Sequence, residues 1–128
     1  MKAITLHQPW ATLIALGLKT METRSWSTKY RGPIAIHAGK TIDHEVAEYL
    51  AERMGCADLP TGAVIATATL AKVLTTGPAL WGWLPDDEAE YGDFSPGRFA
   101  WALEDVQVLP EPIPARGQQG LWHWEAAE

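Results

Sequence analysis

Lys19, Thr20, Glu22, Arg24 and Trp26 bring an ammonium, a hydroxyl, a carboxylate, a guanidinium and an indole ring into one short segment, and His37 and Lys40 follow downstream. A carboxylate can take a proton from water or from a hydroxyl, while a nearby cation steadies the oxyanion that forms when a nucleophile adds to a carbonyl. Hydrolysis of an amide needs both functions. The same spacing also suits a strand-edge ion pair between Glu22 and Arg24, which would contribute little to stability. Other chemistries lack their residues: there is no phosphate-binding glycine loop and no Gly-x-Ser-x-Gly elbow, and His44-Glu45 has no second histidine at helical spacing. Neither a metal centre nor a bound cofactor is expected.

These side chains need elements to hold them. Ala3 to Leu6 reads as a short strand, followed by a helix with Pro9 at its first position, Gln8 or His7 capping it, and Gly17 as its left-handed stop. Thr20 to Trp26 is expected to be extended, which would put Thr20, Glu22 and Arg24 on one face. Pro33 to Ala38 should form a second strand that buries Ile34 and Ile36 and turns His37 to the opposite face. Thr41 can cap a helix to Met54, with Val46, Tyr49, Leu50 and Met54 on its apolar side and Gly55 ending it. Gly62 to Leu74 reads as a long strand, Gly77 to Gly97 as an acidic loop with at most a short helix, Arg98 to Leu109 as a strand, Pro110 to Pro114 as extended, and Leu121 to Trp124 as a closing strand. A loop of that length in a compact domain is often functional.

Charge is distributed unevenly along the 128 residues. Six basic side chains and one acid, Glu22, make the first forty residues +5, whereas the rest hold four basic side chains against fifteen acids, −11, for a total of −6. That balance disfavours a broad duplex-binding face and suits a small polar or anionic ligand. Cys56 is the only cysteine, so no internal disulfide or thiolate zinc site can form. The N-terminus lacks a signal-peptide pattern, and the most apolar run, Ala63 to Leu74, is too short to span a bilayer. A cytoplasmic protein without membrane contact is the expectation. Of seven tryptophans, Trp10, Trp81, Trp83, Trp101, Trp122 and Trp124 are expected mostly in the core, with Trp26 standing apart in the basic segment.

Several short strands and two helices predict an α+β domain built on a small, partly closed β-barrel. Residues 4 to 40, with His7-Gln8-Pro9-Trp10, the Gly-x-Lys-x-x-Glu-x-Arg pattern at Gly17, Lys19, Glu22 and Arg24, Ser25-Trp26 and Arg31-Gly32, resemble the ASCH domain. Phe99-Ala100-Trp101 and Pro112-Ile113-Pro114-Ala115-Arg116-Gly117 look like the end of such domains. The resemblance implies a single domain over residues 1 to 128: a small PUA-like β-barrel with two or three flanking helices and a cleft beside the Lys/Glu motif. ASCH relatives include coactivator domains thought to contact nucleic acid, and small EOLA-like hydrolases that deacylate N4-acylated cytidines. The Lys-Thr-x-Glu-Thr-Arg pattern of the second group matches Lys19 to Arg24.

Carried over, the resemblance makes Lys19 the cation for the acyl oxygen and Glu22 the proton-transfer carboxylate, with Thr20 nearby. Small bacterial amidohydrolases of this superfamily place a threonine nucleophile where Glu22 stands, so attack by water is expected here. Trp26 could stack on a pyrimidine, and Arg24, Ser27, Gln8, His37 and Lys40 could contact its polar edge or the rest of the nucleoside. Arg116 and Gly117 could fold back over the cleft. The expectation is thus a metal-independent amidohydrolase for N4-acylcytosine nucleosides, monomeric or weakly dimeric. The alternative is an RNA-binding module, with or without weak ribonuclease activity.

Overall fold

Val, Ile and Thr recur through the longest strands, where β-branched side chains suit a pleated, half-buried surface. The computed structural model describes residues 1–55, 58–85 and 87–125, and Cys56 lies outside them. In chain order the elements are β1 (Lys2–Gln8), α1 (Trp10–Ala15), β2 (Met21–Arg24), β3 (Gly32–Ile42), α2 (His44–Met54), β4 (Ala63–Thr75), α3 (Pro78–Trp81), a 3₁₀ turn (Glu88–Tyr91), β5 (Phe99–Pro114) and β6 (Trp122–His123). The strands form one mixed sheet in the order β2-β5-β4-β3-β1-β6, with β1 and β3 parallel and the other pairs antiparallel. This is the expected α+β fold with flanking helices. None of these helices is long and apolar enough to cross a membrane.

The sheet does not close through its backbone. β6 pairs with β1 only at Lys2 and Ala3, so the carbonyl of Thr5 beyond it is free on that side. The guanidinium of Arg24, at the end of β2, takes that carbonyl at 2.6 Å. A side chain therefore spans the seam between β1 and β2 where a barrel would have a ladder. Three register shifts between β4 and β5, at Val64/Ala66, Thr67/Thr69 and Leu70/Lys72, bend the two longest strands.

Ile4, Leu6, Ile34, Ile36, Leu70, Trp101 and Leu103 are buried inside this curl, with Ile14 of α1 packed among them. A smaller cluster of Ala3, Ala35, Val64, Trp122 and Trp124 lies apart from it. Ala66, Ala68, Ala100 and Ala102 leave space for the large rings, a pairing of small with bulky side chains that close packing requires.

Several local expectations are corrected. Pro9 is the N-cap of α1 rather than its first residue, and Gln8 Oε1 accepts the Thr12 N–H at 3.0 Å. Gly17, at φ +78°, does end that helix. β3 runs on to Ile42, so Asp43 rather than Thr41 caps α2, its carboxylate accepting the Val46 N–H at 3.1 Å. Tyr49 is exposed rather than packed, because only Leu50, Met54 and, partly, Val46 face the cluster that holds Leu13. Phe99 to Pro114 is one strand, with its prolines in the outer part of β5. Trp81 and Trp83 are exposed, since Leu80 and Phe94 are the residues of their segment that pack into the core cluster with Ala100, while Trp101, Trp122 and Trp124 are buried as expected.

Candidate functional site

Strand β2 is only four residues long, yet it delivers the polar segment to the seam. Its backbone pairs with β5 from Met21↔Ala102 to Arg24↔Phe99, and α1 and Gly17 turn the chain so that Lys19 precedes it beneath the sheet. Glu22, Thr23, Arg24, Ser25 and Trp26 line a cleft of about 640 Å³ whose other walls are Thr5, Leu6 and His7 of β1, Trp10, and Glu90 to Asp93 with Arg98. Trp26 packs edge-on against Trp101, with ring centroids 4.8 Å apart, which fixes its plane.

Glu22 is the carboxylate at the centre. Its Oε2 lies 3.2 Å from Arg24 Nε, an ion pair outside hydrogen-bond geometry, and its Oε1 lies 3.8 Å from Lys19 Nζ. Lys19 is 1% exposed and does not line the cleft; it sits behind Glu22 and donates to the Tyr91 carbonyl at 2.6 Å. Burial pushes the Lys19 ammonium below its ordinary pKa, opposed by the charges of Glu22 and Glu88. The Trp10 ring lies 5.9 Å from Nζ, at the outer limit of a cation–π contact.

Glu88 was not among the residues expected from sequence. It comes from the acidic loop, is 1% exposed, and its Oε1 accepts both the N–H (2.8 Å) and the hydroxyl (2.5 Å) of Thr20. Its Oε2 is buried without a hydrogen-bond partner. The Thr20 hydroxyl is thereby committed to Glu88 and does not line the cleft. The same loop supplies Asp93, whose carboxyl is held below its usual range by the hydroxyl and backbone N–H of Ser95. It also supplies Glu90, kept low by the Arg53 guanidinium. The length and acidity of this loop were the only signals that pointed to it.

Other expected site residues are distributed elsewhere. Gln8 is fully buried, its amide spent on Pro60 and Thr12, and it faces no cleft. Ser27 is exposed beyond the end of β2 and lines no cavity among those described. His37 and Lys40 belong to a second cleft of about 900 Å³, walled by Thr5, Gly39 and the segment from Pro114 to Gln119. There His37 Nε2 lies 2.7 Å from the Ala115 carbonyl, which can only accept, so this nitrogen carries the proton. In the neutral ring Nδ1 then accepts from the Thr5 hydroxyl at 3.2 Å, and the Trp122 N–H donates to that hydroxyl at 3.1 Å. Gly117 lies over this imidazole: a Cβ there would come within 2.9 Å of His37 Cε1. The backbone of this segment thus folds back over His37.

Among the described residues no three His, Cys, Asp or Glu side chains cluster as metal ligands. The arrangement can therefore supply a cleft-facing carboxylate, two cations beside it, and an aromatic wall. Such a set suits proton transfer at a polar, partly desolvated substrate.

Comparison with known proteins adds the lineage. The family model described as "ASCH domain" matches residues 4–109. The human and mouse proteins named activating signal cointegrator 1 are each 29% identical to the chain over 129 aligned positions, covering 93% of it. The chain spans about a fifth of the length of these curated relatives, 21%. Among solved structures, ASCH from Zymomonas mobilis superposes with a TM-score of 0.63 at 20% identity, covering 97% of this chain and 87% of that one. A variant of the same Zymomonas mobilis protein gives the same score. At that identity the likeness concerns the fold.

Proposed function

Taking as premise that the chain belongs to the ASCH domain family, we propose that it is an amidohydrolase that removes acyl groups from the exocyclic nitrogen of N4-acylated cytosine nucleosides. The observation that carries this reading is the Glu22 carboxylate, which reaches the cleft between a guanidinium at 3.2 Å and a buried ammonium at 3.8 Å. A carboxylate so placed can hold a water against the acyl carbon and take its proton. Charge then develops on the acyl oxygen, where the field of Lys19 and Arg24 stabilises it more than water would. The carbon–nitrogen bond breaks as Glu22 returns the proton to the exocyclic nitrogen. The products are a carboxylic acid and the nucleoside with a free amino group.

Water is the nucleophile in this scheme because the Thr20 hydroxyl is already donated to Glu88. Trp26 offers the flat wall for the pyrimidine, and its edge-on contact with Trp101 keeps that wall in place. Lys19 acts through its charge from beneath Glu22 and not through a contact in the open cleft. No metal is required for these steps.

The competing reading, an RNA-binding module without turnover, gains support from the cavity beyond Thr5 that carries Lys40 and Arg116. One assay separates the two. Conversion of N4-acetylcytidine to cytidine is followed by absorbance with chelator present, for the wild type and for Glu22→Gln. Turnover that survives chelator and falls by about 10²- to 10⁴-fold in the variant is the expected result. Absence of turnover on acetyl and larger acyl groups overturns the hydrolase.

A further inference from the structure

The cleft at Glu22 does not end there. Thr5, His7, Arg24 and Trp26 also wall a cavity of about 420 Å³, which Gln118 and Gln119 bound on its far side. Thr5, Gln118 and Gln119 in turn line the 900 Å³ cleft over His37. Three cavities thus share walls pairwise and meet at Thr5 as one groove, with room for more than a base and sugar.

Charge changes sign along this groove. Every acid that lines it, Glu22, Glu90 and Asp93, stands in the first cavity. The other two are lined by no carboxylate among the described residues, and the last carries Lys40 and Arg116. Both side chains are exposed, and neither forms an ion pair among the described residues. With the amides of Gln118 and Gln119 they make a set of donors around a cavity whose floor, His37 and Thr5, is already hydrogen-bonded to itself. A flexible ammonium and a planar guanidinium fork suit a group that offers only acceptor oxygens.

We propose that the cleft bearing Lys40 and Arg116 is a phosphate subsite, and that the substrate is a nucleotide whose base lies at Glu22 and whose phosphate lies over His37. This deepens the amidohydrolase reading and rests on it for the identity of the base. The phosphate is that of a mononucleotide or of a neighbouring position in a strand. Both present the same dianionic or monoanionic oxygens to Lys40 and Arg116, and both extend from the base along the groove.

The test measures binding, so that it stands apart from turnover. Affinities for cytidine, cytidine 5′-monophosphate, cytidine 3′-monophosphate, a short single-stranded oligocytidine and inorganic phosphate are compared by calorimetry. The proteins are the wild type, Lys40→Gln/Arg116→Gln, and Glu22→Gln as a control for the first cavity. The expected result is a phosphate-bearing ligand bound roughly tenfold or more tightly than cytidine, with that gain weakened by salt and abolished in the double variant. A gain with either monophosphate assigns the phosphate to a mononucleotide, and a gain only with the oligomer assigns it to a strand. If cytidine does not bind while the phosphate-bearing ligands or inorganic phosphate bind through Lys40 and Arg116, the subsite stands and the cytosine reading fails. No gain from any phosphate, or a gain that the double variant retains, overturns the subsite.

Discussion

Lys19→Met is the substitution with the most to reveal, because methionine keeps the length and volume of the lysine stem while removing its charge. Three consequences oppose one another. The Tyr91 carbonyl loses its 2.6 Å donor and, if water does not reach it, that costs about 1–3 kcal/mol. Glu88, 1% exposed with one oxygen unpartnered, loses a nearby cation. Breaking a buried pair costs about 3–5 kcal/mol, but Arg24 still faces Glu22, and Thr20 still binds Glu88, so this loss falls below that range. Against both stands the desolvation of the ammonium, the largest influence on Lys19, which the substitution removes.

Because the lowered pKa means that desolvation outweighs the attraction of the carboxylates, the lost donor to the Tyr91 carbonyl sets the balance, and a net destabilisation of at most about 1–3 kcal/mol is expected, read as a fall in Tm. Urea and thermal unfolding near neutral pH measure it, with Glu88→Gln and the double variant completing a cycle. The coupling between Lys19 and Glu88 should be about 1–3 kcal/mol. The pH dependence supplies a second signature. The folded-state pKa of Lys19 lies below its ordinary 10.5, so between the two values the unfolded chain binds more protons and wild-type stability gains from rising pH. Lys19→Met lacks that gain. A variant as stable as the wild type, with no coupling to Glu88, would refute the idea that the ammonium holds these carboxylates in place.

Other substitutions probe the walls of the groove and the frame behind it. Gly117→Ala brings a Cβ within 2.9 Å of His37 Cε1 and 3.1 Å of the Thr5 hydroxyl, so it should cost about 1–3 kcal/mol in urea unfolding. Trp26→Ala removes the edge-on partner of Trp101 and the proposed stacking wall; a rise in KM of roughly tenfold with kcat nearly unchanged is expected, and an unchanged KM would remove Trp26 from the binding site. Asp43→Ala deletes the cap of α2 and should lower stability by about 1 kcal/mol without altering turnover, whereas Thr41→Ala should leave stability almost unchanged.

The polar segment was legible because its rules are local. Period-two geometry carries Glu22 and Arg24 onto one face, a glycine stops α1 four positions before β2, and the β-branched run of β4 makes a strand whatever its neighbours. Capping was harder to read: Thr41 and Asp43 are both good caps, and the choice fell to Asp43 because β3 keeps pairing with β1 as far as Ile42. Tryptophan chemistry alone could not say that Trp81 and Trp83 stay exposed while Trp101 and Trp122 are buried. That depends on which chain segments cover them.

Sequence by itself thus determined the strands, the helix stops and the juxtaposition of Glu22 with Arg24, since each depends on residues a few positions apart. Tertiary structure alone decided where those groups stand. It set Lys19 beneath Glu22, brought Glu88 to Thr20 across 68 residues, turned Gln8 inward, and gave His37 and Lys40 to a different cleft. The reason is physical: backbone periodicity fixes which way a side chain leaves its strand, but burial and charge depend on whatever distant segment packs against it.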